Sequence, residues 1–428
     1  MSKFDVIVIG AGVLGVSTCY HLKTNFPEKR VLLIDKMPAA GQGNTSKSAA
    51  CFRNFYYSST NFLLSDASIN FYFHVQNDLG YDLGLKKVGY LFLFSDSQYK
   101  EISRVLKKMN QMEVETRTYE RSDLEERLEI ETDLSADEEA QIMKLENVDK
   151  GVLNVKAGYL SSDALIRFFE EGFKRLNGET LYNTRAERLI LESEVRIGIP
   201  QEPLVWQDKR IIGVSTNRGD FYAEKLVVTA GTWSNTLLDP VGIDSHVKPK
   251  KRQVFVVKAT NDKLKHLIHT KGFSEENCLP IIIPPNSFFF LKPMTEENGF
   301  WIVYPNYLGV PFELLDDPQP HENYFVYGLR PVLTRYFPQF TGTRVFNMWA
   351  GQRECSTQDQ LPYVFEEAGV VSVNGAHGRG VKQADSIGRI AAGLCAEQDY
   401  VELYSGIEFR VRDLGVAERN VEREGFII

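Results

Sequence analysis

Phe4-Asp5-Val6-Ile7-Val8-Ile9-Gly10-Ala11-Gly12-Val13-Leu14-Gly15 decides the reading of this chain, together with Asp35 at the end of the next apolar run. A continuous apolar stretch such as 6–9 is what a strand buried on both faces requires. The three glycines that follow have separate tasks. The first permits a sharp turn, the second lets a pyrophosphate approach the backbone, and the third packs helix on strand. The phosphates then rest on free N–H groups at the start of a helix predicted over 13–25. Val31-Leu32-Leu33-Ile34 reads as the second strand, which places Asp35 for ribose hydroxyls. Strand, turn, helix, strand and acid in this order specify a dinucleotide, without saying which one.

The rest of the chain has the composition expected of a soluble globular protein. Its 428 residues suffice for two or three domains, and a hydrophobic share of 43% is that of a packed core. With 49 basic and 57 acidic residues the net charge is -8, which argues against a nucleic-acid surface. Met1-Ser2-Lys3 leaves no room for a signal peptide, and no apolar run is long enough to span a membrane. The expectation is a cytoplasmic protein, at most peripheral to a membrane. Five scattered cysteines and seven unclustered histidines suggest neither a disulfide framework nor a metal site.

Two further strand-to-glycine units follow the first. Lys225-Leu226-Val227-Val228 runs into Ala230-Gly231-Thr232-Trp233, and Val370-Val371-Ser372-Val373-Asn374 runs into Gly378-Arg379-Gly380-Val381 before a last helix. The three belong to one Rossmann-like α/β domain, discontinuous in sequence and composed of 1–86, 151–235 and 346–428. The intervening 87–150 and 236–345 form a second, mainly antiparallel α+β domain that carries the substrate. The charged region 99–139 reads as peripheral to it.

Five motifs in this order resemble the FAD-dependent oxidoreductases of the D-amino-acid oxidase superfamily, in the branch of sarcosine oxidase, dimethylglycine dehydrogenase and dye-linked proline dehydrogenase. They are the N-terminal fingerprint, the loop 43–53, Val-Val-Thr-Ala-Gly-Thr-Trp-Ser at 227–234, Ala-Gly-Gln-Arg-Glu-Cys-Ser-Thr-Gln-Asp at 350–359, and His-Gly-Arg-Gly-Val-Lys at 377–382. The resemblance covers nearly the full length and implies non-covalent FAD. The ADP half is expected on Gly10, Gly12, Val13, Leu14, Gly15, Asp35 and Lys36. Thr45, Ser46 and Ser48 of the loop, Ala230, Gly231 and Trp233 of the middle unit, and Gly351 complete the cradle. The flavin end falls to Gly378, Arg379, Gly380, Val381 and Lys382, where a helix N-terminus offers donors to a reduced flavin.

Arg53 and Lys382 stand where the similar sarcosine oxidases hold the substrate carboxylate. An arginine fork binds a carboxylate bidentately and a lysine adds a point charge. Tyr56 and Tyr304 are candidate pocket walls. The resemblance thus implies a dehydrogenase that oxidises the Cα–N bond of a small amino acid, preferably a secondary amine such as L-proline or sarcosine. The sarcosine oxidases use a lysine to activate oxygen; Trp301 takes the matching position, with Lys292 nearby. That substitution points to a quinone, dye or carrier protein as the electron acceptor. Two alternatives stay open. A 2-hydroxy-acid or glycerol-phosphate dehydrogenase would need a base, for which His377 is the candidate, and a non-catalytic assembly factor would hold FAD structurally. The apolar terminus Phe426-Ile427-Ile428 is expected to pack on the domain surface.

Overall fold

The computed structural model describes residues 4–425 apart from 288, 305–307 and 405, and omits the side chains of Ser287 and Tyr304. The terminal residues 426–428 lie outside the described residues. The strand Phe4–Ile9 sits centrally in a parallel sheet, between Val31–Ile34 on one side and Gly219–Val228 on the other. Val370–Asn374 pairs in parallel with Gly219–Val228, and Glu179–Leu181 in parallel with Val31–Ile34. The three predicted glycine turns therefore leave neighbouring strands at the same sheet edge, where doubly wound folds bind ligands. This is the expected α/β architecture. Among the described residues no helix is long and apolar enough to cross a membrane.

Helix Val13–Asn25 follows the fingerprint and packs on the C-terminal helix Gly380–Cys395. The approach is close because Gly388 has no side chain: a Cβ there would fall 2.2 Å from the Ser17 hydroxyl and 2.9 Å from its carbonyl carbon. Ser17 Oγ donates to Ala384 O at 2.7 Å across this crossing. One turn further on, the fully buried Asp385 carboxylate accepts from His21 Nε2 at 2.9 Å and from Arg389 Nε at 2.8 Å. Burial depresses His21, and Asp385 opposes that shift without cancelling it. A third helix, Ser59–Asn77, is tied to the same C-terminal helix by buried polar contacts. Ser386 N donates to Ser68 Oγ at 3.0 Å, Gln383 Nε2 to Ser65 Oγ at 3.0 Å, and Tyr72 OH to Val381 O at 2.7 Å.

A second sheet runs in the order Val345–Ser356, Val247–Lys258, Gly299–Tyr304, Phe290–Met294, Ile281–Ile283, Tyr90–Phe94, Lys150–Asn154, Thr116–Glu120. Its pairs are antiparallel except Ile281–Ile283 on Tyr90–Phe94. Leu91, Leu153, Phe255, Ile282, Leu291 and Ile302 face a common core on one side. Expected boundaries at 151 and 346 fall inside two of these strands, Lys150–Asn154 and Val345–Ser356. Hydrogen bonding assigns both strands whole to the second sheet. The region 99–139, expected to be peripheral, supplies the edge strand Thr116–Glu120 and the capped helix Asp96–Gln111.

Valine at position 388 would overpack the helix crossing with little gain in helix propensity. Gly388→Val is expected to cost about 1–3 kcal/mol, read as a lower thermal midpoint. Gly43→Ala, which has no atom within 4 Å of the new methyl group, should leave the midpoint unchanged.

Candidate active site

The three glycine turns open onto one cavity of about 1080 Å³. Gly10 takes φ +109°, and a Cβ on it would lie 2.7 Å from Thr229 O. Gly15 lies beneath the turn, where a Cβ would meet Gly10 O at 1.9 Å. Thr229 Oγ1 donates to Ile9 O at 3.0 Å and to Gly10 O at 2.7 Å, locking the turn to the adjacent strand. Thr45 Oγ1 accepts from Val13 N at 3.2 Å. The Asp35 carboxylate accepts from Ala11 N at 2.6 Å and from Met37 N at 2.7 Å. Burial raises its pKa, and those two backbone donors oppose the rise.

Gly10, Gly12, Val13, Leu14, Asp35, Lys36, Thr45, Ser48, Ala230, Gly231, Trp233, Gly378, Gly380 and Val381 all line this cavity. Gly15, Ser46 and Gly351 do not line it. Gly15 packs the turn, Ser46 Oγ donates to Gly43 O within the loop, and Gly351 clears Lys47, whose Cβ would be 3.0 Å from an added methyl. Asp316 and Asp317 reach the Lys36 end of the cavity, a feature absent from the sequence reading. Asp316 accepts from Lys36 Nζ at 3.1 Å and Trp233 Nε1 at 3.0 Å, while the Lys36 amine lies 4.1 Å over the indole.

The cavity fits FAD in shape and in chemistry. A side chain at Gly10 would collide with the backbone of Thr229 on the neighbouring strand and one at Gly15 with Gly10 O, and Glu354 turns a buried, unpartnered Oε2 into the cavity wall. Burial raises the Glu354 carboxyl to about 7 against backbone N–H groups of Ala376 and Gly375.

Arg53, Tyr56, Arg379 and Lys382 do not line the cavity; they gather beside its Gly378–Val381 wall. Arg53 extends from the short strand Cys51–Arg53, its guanidinium 5.2 Å from the Tyr56 ring and 5.4 Å from Phe92. Arg379 approaches the same tyrosine at 5.6 Å and donates through Nη1 to Gln360 O at 2.6 Å. Arg53 Nε and the Tyr56 hydroxyl are buried without hydrogen-bond partners. Burial alone would push the Tyr56 phenol up, but Lys382, Arg53 and Arg379 together bring it down to about 7. Burial lowers Lys382 as well, with Tyr56 pulling the other way. The side chain of Tyr304 lies outside the described residues.

His377 behaves differently from a poised base. Its Nδ1 accepts from Ser356 N at 3.1 Å, its backbone holds φ +51°, and burial with Arg353, Arg379 and Arg252 drives its pKa to about 2. Lys292 and Trp301, named together in the sequence for the oxygen-activating position, are brought together by the fold. The two residues face each other across paired strands, and the buried Lys292 amine lies 4.3 Å over the indole while donating to Ala49 O at 2.8 Å. Cross-strand register brings the lysine there, and spacing along the chain does not reveal it. Arg353 and Glu354 were also missed, although both lie in the quoted 350–359 motif; the signal was charge on a strand next to a glycine.

Comparison with known proteins agrees with this geometry. The chain is 25% identical over 296 residues to the uncharacterized oxidoreductase YurR of Bacillus subtilis, covering 67% of each chain. It is 23% identical over 243 residues to the human peroxisomal sarcosine oxidase, covering 56% of this chain and 54% of that protein. The match thus spans about half the length of the human enzyme. Among solved structures, L-proline dehydrogenase from P. horikoshii superposes with a TM-score of 0.73 at 19% identity, over 92% of this chain and 94% of the other. A match over residues 5–394 shows that the chain belongs to the FAD dependent oxidoreductase (DAO) family.

Proposed function

We propose that the chain oxidises the Cα–N bond of a small amino acid, with secondary amines such as L-proline or sarcosine as the preferred class. The convergence of Arg53, Lys382 and the unpartnered Tyr56 hydroxyl beside the Gly378–Val381 loop carries this reading. Bound FAD supplies a hydride-accepting centre. Arg53 and Lys382 hold the substrate carboxylate, and the Tyr56 phenol donates to it. The same positive field disfavours an ammonium group, so the amine binds neutral with its lone pair available. No side-chain base is then required, and orientation supplies much of the acceleration.

The hydroxy-acid alternative needs a base that can take a proton from an alcohol. His377 spends its Nδ1 lone pair on Ser356 N and sits among three arginines, which suits it poorly to that task. Anaerobic titration of the holoenzyme with amino acids and 2-hydroxy acids separates the readings. Bleaching of the flavin absorbance by amino acids alone is expected. Bleaching by hydroxy acids alone would replace this reading, and no bleaching by either would favour a structural flavin.

Two residues give sharper outcomes. As pH rises through about 7, Tyr56 loses the proton it donates and becomes a like charge to the carboxylate. The dissociation constant of an unreactive carboxylate should therefore rise with pH, by up to about tenfold per unit, and Tyr56→Phe should flatten that profile. Lys292 is a buried cation that donates to Ala49 O, next to the loop 43–53, and it is our candidate for favouring oxygen as acceptor. Lys292→Met is expected to slow reoxidation of the reduced enzyme by air on the order of 10²-fold, with dye reoxidation little changed. Equal effects on both acceptors would remove Lys292 from that role.

A further inference from the structure

Glu354 lacks a partner for half of its carboxyl. It stands on Val345–Ser356, the edge strand of the second sheet, and lines the cofactor cavity. The residue directly opposite on the neighbouring strand is Pro249, which brings no polar side chain. The carboxyl reaches between two glycine turns. A Cβ added to Gly231, which holds φ +57°, would lie 3.7 Å from Glu354 Oε2. From the other turn the backbone N–H groups of Gly375 and Ala376 act on the same carboxyl. Oε2 is nonetheless buried without a hydrogen-bond partner.

Charged and titratable groups surround it on every side. Arg353 and Cys355 flank it in sequence, Lys248 and Lys250 flank Pro249 on the facing strand, and His377 follows Ala376 on the turn. Lys47 lines the cavity from the loop 43–53. Burial is what raises the Glu354 carboxyl to about 7, against the two backbone N–H groups, and Cys355 in turn feels its charge. At the ADP end, Asp35 already accepts from Ala11 N and Met37 N, and Asp316 from Lys36 and Trp233. A buried acid with an unused oxygen is costly in a finished structure, and this one sits in the wall of the cavity that FAD fills.

We propose that Glu354 holds FAD as a neutral acid, its Oε2–H donating to an acceptor atom of the flavin half, so that cofactor binding takes up one proton from solvent. Covering the carboxyl removes its remaining solvent and brings the cofactor's negative charge nearer, and both disfavour the carboxylate. FAD does not change charge near neutrality, so proton linkage belongs to the protein. The proposal is independent of which substrate is oxidised.

Serial dilution of the holoenzyme between about pH 6 and about pH 9, with released FAD read by its fluorescence, gives the dissociation constant across the carboxyl's range. For the wild type it should be level below about 7 and rise above it by up to about tenfold per unit. Glu354→Gln keeps a donor of the same shape without the titrating proton. It should bind FAD within about threefold of wild type on the acid side, with a flat profile. Glu354→Leu fills the volume without a donor and should bind about tenfold more weakly there. Infrared spectra of the holoenzyme about one unit above 7 add a readout that needs no release: the C=O stretch of a protonated carboxyl, present in wild type and missing from Glu354→Gln.

FAD held equally by the wild type at every pH, or a slope that survives Glu354→Gln, overturns the proposal. Tyr56, also brought to about 7, does not line the cavity. A slope lost in Tyr56→Phe and kept in Glu354→Gln would assign the linkage to the phenol instead. Absence of the carboxyl band from the wild type means that a carboxylate or an ordered water fills the gap, and the proposal fails.

Discussion

The missing side chain at Gly388 is the constraint on which the rest of the site depends. It lets two helices that begin 367 residues apart, at Val13 and Gly380, cross in contact through Ser17. Each helix starts at a glycine turn, so their crossing fixes the distance between the pyrophosphate cradle and the flavin-end loop. The buried Asp385, shared by His21 and Arg389, then sets the rotation of one helix against the other. A carboxylate this deeply buried is tolerable only with both partners in place, so the same contact rejects slipped packings. The third helix, anchored through Ser68 and Tyr72, carries this order forward to Val381 and Lys382.

Around that frame the electrostatics are arranged by opposition. Burial pushes Tyr56 towards its neutral form, and three cations more than reverse the effect; burial pushes Glu354 up with only backbone donors to resist. The two groups end near the same value by opposite routes. His377 has neither protection, and its neutrality frees it to accept a backbone N–H and hold the turn before Gly378. Perturbed groups in such density mark functional sites, because a fold gains no stability from assembling them.

The parts legible in sequence were those whose meaning is local. GxGxxG, its flanking strands and Asp35 act within one supersecondary unit, and each stands where its spacing required. The two later glycine units could be read for the same reason. Sheet membership of Lys150–Asn154 and Val345–Ser356 could not, because a strand's partner is set by register with distant chain. Lys292 and Trp301 show this most plainly. They stand nine positions apart in sequence, and only the antiparallel pairing of their strands makes them one feature.

The same distinction explains why substrate chemistry is harder to read than cofactor chemistry. A dinucleotide is recognised mainly by backbone, whose demands surface as glycines at fixed spacing. In the reading proposed above, a small amine would be recognised by side chains from separate segments, Arg53 of Cys51–Arg53 and Lys382 at the start of Gly380–Cys395 among them. Neither segment looks unusual alone, since each brings one or two ordinary cations. Their concentration becomes visible only after folding, when Lys250 faces Arg353 and both adjoin Arg379. Charge that is scattered in sequence and gathered in space has no local pattern, so it is read from register and packing and not from spacing along the chain.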